Sequence, residues 1–349
     1  MLVLGIETSC DETAAAVVRD GRFVLSNVVH TQIAQHRPYG GVVPEIASRQ
    51  HVEHLPAVLE EAMRAAGVDW SSLDAVAVTH GPGLSTSLLV GLAAAKGLAI
   101  RLNKPLVGIN HLEAHLYSAF LGPDAPEPAA LMPFVSLIVS GGHTAFVRVD
   151  GIGRYRLLGR TVDDAAGEAF DKGANLLKLG YPGGPAIDKA ALGADPAAVR
   201  FPRGILRNLP ARLTGLDARC CVSYSGLKTS LLYYLRDHPL AGAGDPVVGS
   251  LAASFQEAIV DTLLNRVAHA LGNLRTLAVV GGVSLNSRLR GKLAALAEKR
   301  RFRLILAQPA FCADNAAMVA GLANHKLAAT PPPAEAFLLD AEPNLGIGE

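Results

Sequence analysis

Cysteine is scarce in this chain. There are four in 349 residues, Cys10, Cys220, Cys221 and Cys312. Two are adjacent and none forms Cys-x-x-Cys, which argues against a disulfide framework or a structural zinc site. Excess charge is also lacking: 32 basic side chains face 31 acidic ones. A formal net charge of +1 gives no global attraction to nucleic acid or membrane, so any such surface is local. The start has no basic residues ahead of a long apolar run, as a secretory signal requires. The richest apolar stretch, 87–100, is broken by Lys96 and by glycines. It is too short to span a bilayer and reads as a buried helix. Neither Gly-x-Gly-x-x-Gly nor Gly-x-x-x-x-Gly-Lys-Ser/Thr occurs, so Rossmann and P-loop nucleotide binding are not indicated. The expectation is a cytoplasmic protein with reduced thiols.

What is present is ordinary globular material, with half the residues apolar and 18% charged, enough for two cores. Residues 2–6 form a short apolar run, followed by the polar turn Glu7-Thr8-Ser9-Cys10-Asp11-Glu12-Thr13 and a second run at 14–18. This predicts strand, turn, strand. The design recurs at 134–139, Ser140-Gly141-Gly142-His143-Thr144 and 145–149, which suggests an internal duplication. Between them the pattern predicts a helix over 44–66, a strand over 75–79, a helix over 85–102, a strand over 105–109 and a helix over 111–121. The second half repeats the theme, with a strand at 276–280, the glycine turn Gly281-Gly282-Val283-Ser284, a helix at 285–299, a strand at 302–306 and a helix at 314–327. Strands alternating with helices imply a parallel sheet covered by helices. The expected division is a first lobe over 1–130, a second over 131–329 with a helical insertion about 160–240, and a poorly ordered tail over 330–349. A cleft between two such halves is the default place for a ligand.

Small residues in the two hairpin turns let backbone N–H groups approach a phosphate, although Gly/Ser turns are common without one. The glycine turn at 281–284 precedes a helix, a geometry suited to a nucleotide. His111-Leu112-Glu113-Ala114-His115 puts two imidazoles on one helical face, which suits a shared metal. Chance alone supplies roughly 0.3 such pairs in a chain with this many histidines, and a third ligand is needed. Asp314 can supply it, or can equally serve as a helix cap. A zinc peptidase would need Glu where Leu112 stands, so that reading is poor. Asp171, in the acid-rich stretch 163–172, can accept hydrogen bonds from a ribose or an amine, or can belong to a solvated helix end. Arg200, Arg203, Arg207 and Arg212, followed by Arg219, make the best local candidate for phosphate-backbone contacts, against a plain solvated basic face.

Taken in order, the motifs resemble one family. Gly5-Ile6-Glu7-Thr8-Ser9-Cys10-Asp11-Glu12-Thr13 is similar to the opening of TsaD proteins, formerly described as O-sialoglycoprotein endopeptidases. Gly40-Gly41-Val42-Val43-Pro44-Glu45, Asn110 to His115, Val139 to Thr144, Ala166 to Lys172, Tyr181-Pro182-Gly183-Gly184-Pro185, Tyr224 to Thr229, Gly281 to Asn286 and Cys312-Ala313-Asp314-Asn315 match as well. The resemblance spans roughly residues 1–328, and the ordered set is far more specific than any one motif.

The resemblance implies an α/β, actin-like (ASKHA, ribonuclease H-like) duplicated two-lobe fold with a nucleotide cleft between the lobes. It implies a metal on His111, His115 and Asp314, iron(II) before zinc, both of which accept this donor set. It puts substrate contacts on Ile138, Val139, Ser140, Gly141, Gly142, Asp171, Gly184, Asp188 and Asn286, and the catalytic acids on Asp11 and Glu12. The implied reaction moves a threonylcarbamoyl group from threonylcarbamoyl-adenylate to the exocyclic amine of the adenosine next to the anticodon, in tRNAs reading codons that start with A. The implied partners are a paralogous TsaB-like subunit and a TsaE-like P-loop ATPase, with no membrane. Ile138 and His143, where archaeal and eukaryotic relatives carry Tyr and Asn, mark the bacterial type, and the metal then keeps an open position. His80 stands where a small residue is usual, and the basic Pro-Arg-Trp ending is absent. The alternatives are an actin-like small-molecule kinase or ATPase, and a non-catalytic nucleotide- and metal-binding protein.

Overall fold

The computed structural model describes residues 1–204, 206, 209–242, 244–330 and 334–348. The chain runs β1 (Leu2–Glu7), β2 (Glu12–Arg19), β3 (Phe23–Thr31), α1 (Ile33–His36), α2 (Pro44–Ala66), β4 (Ala75–Gly81), α3 (Ser85–Leu102), β5 (Leu106–Asn110), α4 (His111–Ser118), β6 (Phe134–Val139), β7 (Thr144–Gly151), β8 (Arg154–Arg160), α5 (Ala166–Leu176), α6 (Gly183–Ala190), α7 (Ser225–Asp237), α8 (Val247–Leu271), β9 (Thr276–Val280), α9 (Ser287–Arg300), β10 (Arg303–Leu306) and α10 (Ala316–Ala329). The local chemistry explains the clearest boundaries. α2 has Pro44 in its first turn and Gly67, at positive φ, just past its end, the usual start and stop asymmetry.

Two five-stranded sheets form, in the orders β3-β2-β1-β4-β5 and β8-β7-β6-β9-β10. β1 is antiparallel to β2 and parallel to β4. β6 is likewise antiparallel to β7 and parallel to β9. The second sheet therefore repeats the topology of the first, strand for strand.

The chain divides into two compact units. One comprises Met1–Met132, Asp150–Tyr155 and Ala307–Glu349, the other Pro133–Val149 and Arg156–Leu306. The expected second lobe, 131–329, differs from the second unit, which omits Asp150–Tyr155 and ends at Leu306. α10 packs on β1 and β2 of the first unit. Gly5 makes this possible: a Cβ there would sit 2.4 Å from Ala316 O and 2.8 Å from Ala320 N. The tail also departs from expectation. Lys96 Nζ donates to Leu339 O (2.5 Å), Asn110 Nδ2 donates to Gly346 O (2.6 Å), and Leu345 is buried. These contacts tie the segment to the first unit.

Each unit has its own core. In the first, Leu4, Ile6, Val76 and Val78 of the sheet meet Leu55, Leu59 and Leu92 from α2 and α3. In the second, Val135, Leu137 and Val139 meet Phe170, Phe255 and Ile259. By length and composition α3 and α8 could each cross a membrane, yet α8 is mostly buried inside its unit. α3 is longer than the stretch 87–100 suggests, and a third of it is buried.

Candidate metal centre

The first unit gathers charge where a core strand ends. Glu7 closes β1 and is fully buried. Its carboxylate accepts from Ser9 N (2.6 Å) and Thr79 Oγ1 (2.6 Å), and Oε2 lies 3.1 Å from His111 Nδ1. Burial alone would push this carboxyl up, but the charge and hydrogen bond of His111 outweigh it and hold Glu7 below the usual glutamate range.

α4 starts with His111 because Asn110 caps it, accepting from Leu112 N (2.9 Å) and Glu113 N (3.2 Å) through Oδ1. The helix sets His111 and His115 one turn apart, as their spacing predicts, with ring centroids 4.7 Å apart. Asp314 precedes α10. The cap of that helix is Asn315, whose side chain accepts from Met318 N (3.1 Å), so Asp314 does not serve in that role. Asp314 Oδ1 lies 3.0 Å from His115 Nε2 and 3.6 Å from His111 Nε2. One ligand atom from each residue falls within 4.8 Å of the others. Glu113 turns away and pairs with Lys326 (2.8 Å), consistent with the poor peptidase reading.

This donor set fits a divalent cation. Glu7 takes the Nδ1 side of His111, which leaves Nε2 directed at Asp314, the arrangement by which an outer carboxylate orients a ligating imidazole. Among the described residues His115 Nδ1 is buried without a partner, and Nε2 is the nitrogen of that ring in polar contact with Asp314. Burial would lower His111, but Asp314 and Glu7 override it and push the ring up to about 9. Two imidazoles and one carboxylate with remaining positions open suit iron(II) or zinc.

Asp11 and Glu12 lie at the same centre. Burial, then the charges of Asp11 and Asp314, push the Glu12 carboxyl well up. Burial and the same acids raise the Cys10 thiol, which keeps it protonated and a poor nucleophile.

The remaining expected residues fall in the second unit, around the carboxyl ends of β6 and β9. Ile138 and Val139 are fully buried on opposite faces of β6 and Ser140 is buried too, so Gly141 and Gly142 are the exposed residues of this turn, with His143 half-buried. The turn sits on the start of α5: Gly167 N donates to Ser140 O (3.1 Å), and a Cβ on Gly167 would meet Gly141 Cα at 2.7 Å. One turn on, Asp171 Oδ1 accepts from Gly183 N (2.7 Å), beside Gly184, which has open space in front of it. Asn286 and Asp188 meet at the start of α9. Asn286 Oδ1 accepts from Leu289 N (2.9 Å) and its Nδ2 donates to Gln256 Oε1 (2.7 Å), while Asp188 accepts from Ser287 N (3.0 Å) and Ser287 Oγ (2.7 Å). Asp188, Gln256, Ser287, Arg288 and Lys292 line a cavity of about 530 Å³.

The basic stretch is less open than its composition suggests. Arg200 is exposed, but Arg203 is held by Asp261 (3.0 Å) and Phe201 O (2.7 Å), and Arg219 by Asp217 (2.8 Å). Arg207 and the side chain of Arg212 lie outside the described residues. Sequence reasoning assigned no role to Glu7, Ser9 or Thr79. The available signal was an acid closing an otherwise apolar strand.

A family model described as tRNA N6-adenosine threonylcarbamoyltransferase, TsaD, matches residues 23–321. The chain belongs to the TsaD family. Relatives carrying that description include one from Geotalea uraniireducens (strain Rf4), 50% identical over 322 residues (92% of this chain, 90% of the relative). Another, from Syntrophobacter fumaroxidans, is 52% identical over 330 residues (93% of each chain). Among solved structures, HypF from T. kodakarensis aligns with a TM-score of 0.57 at 14% identity, over 97% of this chain and 49% of that one. Component A of the Acidaminococcus fermentans (R)-2-hydroxyglutaryl-CoA dehydratase aligns with a TM-score of 0.52 at 16% identity, over 94% and 99%. At such identities the likeness concerns the fold alone, and that fold is the actin-like α/β arrangement. As a TsaD, the chain has its metal candidates in the first unit and its glycine-lined turns in the second.

Proposed function

We propose that this chain transfers a threonylcarbamoyl group to N6 of an adenosine in tRNA, the activity that names its family. The donor in this reading is threonylcarbamoyl-adenylate, and the acceptor is the adenosine next to the anticodon in tRNAs that read codons starting with A. The observation that carries the reading is the convergence of His111, His115 and Asp314, with Glu7 behind them, beside the acidic turn at Asp11 and Glu12.

The adenosine amine is a weak nucleophile, because its lone pair is delocalised into the ring. The donor is a mixed anhydride whose carbonyl is already activated. N6 attacks the carbamoyl carbon, the bond from that carbon to the AMP phosphate oxygen breaks, and one N6 proton must leave. Glu12 suits that proton, since a carboxylate with a raised affinity is a better base near neutral pH. His111, His115 and Asp314 would hold a divalent cation, which would supply a positive centre able to polarise a carbonyl or clamp the threonyl carboxylate. Glu7 and Asn110 keep His111 aimed. In the second unit, the amides of Gly141 and Gly142 hold the departing phosphate and stabilise charge there, while the Ser140 amide is committed to His143 O (2.8 Å) and shapes the turn, and Asp171, Gly184, Asp188 and Asn286 hold the nucleoside. Iron(II) is the first candidate metal and zinc the second. A TsaB-like paralogue and a TsaE-like P-loop ATPase complete the system in the cytoplasm, and tRNA contacts extend to Arg200, Arg203, Arg207 and Arg212.

The test uses protein loaded with each metal in turn, its two partners, labelled threonylcarbamoyl-adenylate and unmodified tRNA. Label should appear on tRNA with the wild type and vanish with Asp314→Ala. Absence of transfer by every loaded form, or full transfer by the metal-free variant, rejects the reading.

A further inference from the structure

The turn that carries Asp11 and Glu12 is tied down through three consecutive carbonyls. Ser9 O accepts from Leu84 N (2.8 Å), Cys10 O from His51 Nε2 (3.0 Å) and Asp11 O from Gln32 N (3.2 Å). Two of these donors are backbone amides. The middle one is a side chain from α2, and it is fully buried.

A carbonyl oxygen can only accept, so His51 carries its proton on Nε2. Nδ1 is then an acceptor, and Thr13 Oγ1 donates to it at 2.8 Å. Thr13 follows Glu12 in β2, so His51 grips the acidic turn on both sides. Burial lowers the affinity of this ring for a second proton, against the pull of the Cys10 carbonyl and of Glu7 and Asp11, which keeps it neutral. The ring is itself held. Gln32 Nε2 approaches Nδ1 at 3.5 Å, Gln32 Oε1 accepts from His36 Nε2 (3.1 Å), and Val43 N donates to His36 Nδ1 (3.3 Å). Networks of this kind, with every member satisfied, fix one geometry rather than adding bulk stability.

We infer that His51 is the positioning residue of the acidic turn: its Nε2–H, held on Cys10 O, sets the backbone from which Asp11 and Glu12 project toward Asp314. His51 touches no substrate in this account and acts only through the two carboxylates. The inference rests on the reading of Asp11 and Glu12 as acid–base groups, and the experiment separates the two.

Three variants are compared in the full protein with its partners. His51→Leu keeps volume and removes the donor, His51→Gln restores an N–H, and Thr13→Val removes the group that fixes the ring and is the milder insult should the first fold poorly. His51→Leu should lower kcat about 10- to 100-fold, the scale of a small misplacement of catalytic groups, with KM for the adenylate and metal content unchanged. His51→Gln should recover most of the loss. In a Glu12→Gln background, His51→Leu should cost little more, because groups acting as one unit are not additive. Hydrogen exchange over residues 8–14 supplies a readout independent of turnover, and it should quicken in His51→Leu and Thr13→Val. Unchanged exchange there, or a fully additive loss of kcat, overturns the inference. Faster exchange with wild-type kcat supports the positioning and overturns the acid–base reading instead.

Discussion

The two units share one topology and put different chemistry at the same place in it. β1 and β2 are joined by four residues, Thr8 to Asp11, and β6 and β7 by four, Ser140 to His143. In the first unit the strand before the turn ends in Glu7 and the turn ends in Asp11. At the corresponding places the second unit has Val139 and His143. The first turn is anchored through its carbonyls and offers carboxylates. The second lies over the start of α5 and offers glycine backbone with open space before it. Duplication supplied two equivalent turns. Sequence divergence left carboxylates at one and bare glycine backbone at the other.

The comparison is broken most severely by removing the charge centre from the first unit. His111→Ala and Asp314→Ala should each abolish stoichiometric metal binding and lower kcat by a factor of about 10³ or more, in line with the loss of a transition-state electrostatic contact. Elemental analysis and single-turnover transfer assays check this. The corresponding damage to the second unit should fall on substrate affinity. Asp171→Ala should raise KM for the adenylate about 10- to 100-fold with kcat held, as loss of uniform binding does.

Steric tests come next. Gly5→Ala and Gly167→Ala each place a Cβ within 2.7 Å of backbone atoms. Overpacking against backbone costs about 1–3 kcal/mol, so both should lower the midpoint of urea unfolding. Gly5→Ala should also weaken metal binding, because it displaces the helix behind Asp314, whereas Gly167→Ala should leave metal binding intact.

A smaller effect is the pH response of the metal-free protein. His111, raised to about 9, contributes stability that is fully present below its ordinary value of 6.5 and is lost as pH rises through 9. Glu7, held low, contributes above the ordinary glutamate range and loses that contribution as pH falls through its lowered value. Thermal melts of apoprotein should therefore fall by a few degrees between pH 6.5 and 9. Loading with metal should remove this slope, since the cation replaces the proton on His111. The smallest effect is expected at Arg200. Arg200→Glu should reduce the salt slope of tRNA binding by about one charge, whereas Arg203→Glu should mainly lower the melting temperature, because Arg203 is committed to Asp261.

Much of this fold was legible. The helices over 44–66 and 85–102 and the strand over 276–280 have the predicted bounds, because proline, glycine or an apolar run marks their ends. β3 and β8 were not legible. Their partly buried, polar-studded patterns, FVLSNVVHT and RYRLLGR, are those of strands at a sheet edge, where one face meets solvent. The metal candidates were legible through the one-turn spacing of two histidines and the order of the motifs. Glu7, Thr79 and His51 were not, because their roles come from contacts between residues far apart in the chain. No local pattern shows that β1 leaves room for α10 only by having Gly5 beneath it. Nor does composition show that arginines in the basic stretch are already paired with acids.

The first unit is discontinuous, and this bears on how the protein is made. His111 and His115 precede Asp314 by about 200 residues, 199 in the case of His115, and most of the second unit lies between them. Domains tend to fold as their segments emerge from the ribosome. The β6–β10 unit can therefore finish folding while the β1–β5 sheet still lacks α10 over its face. A nascent chain has both imidazoles in place before their carboxylate exists, so any cation that needs all three ligands would be captured only late in synthesis, once α10 has docked.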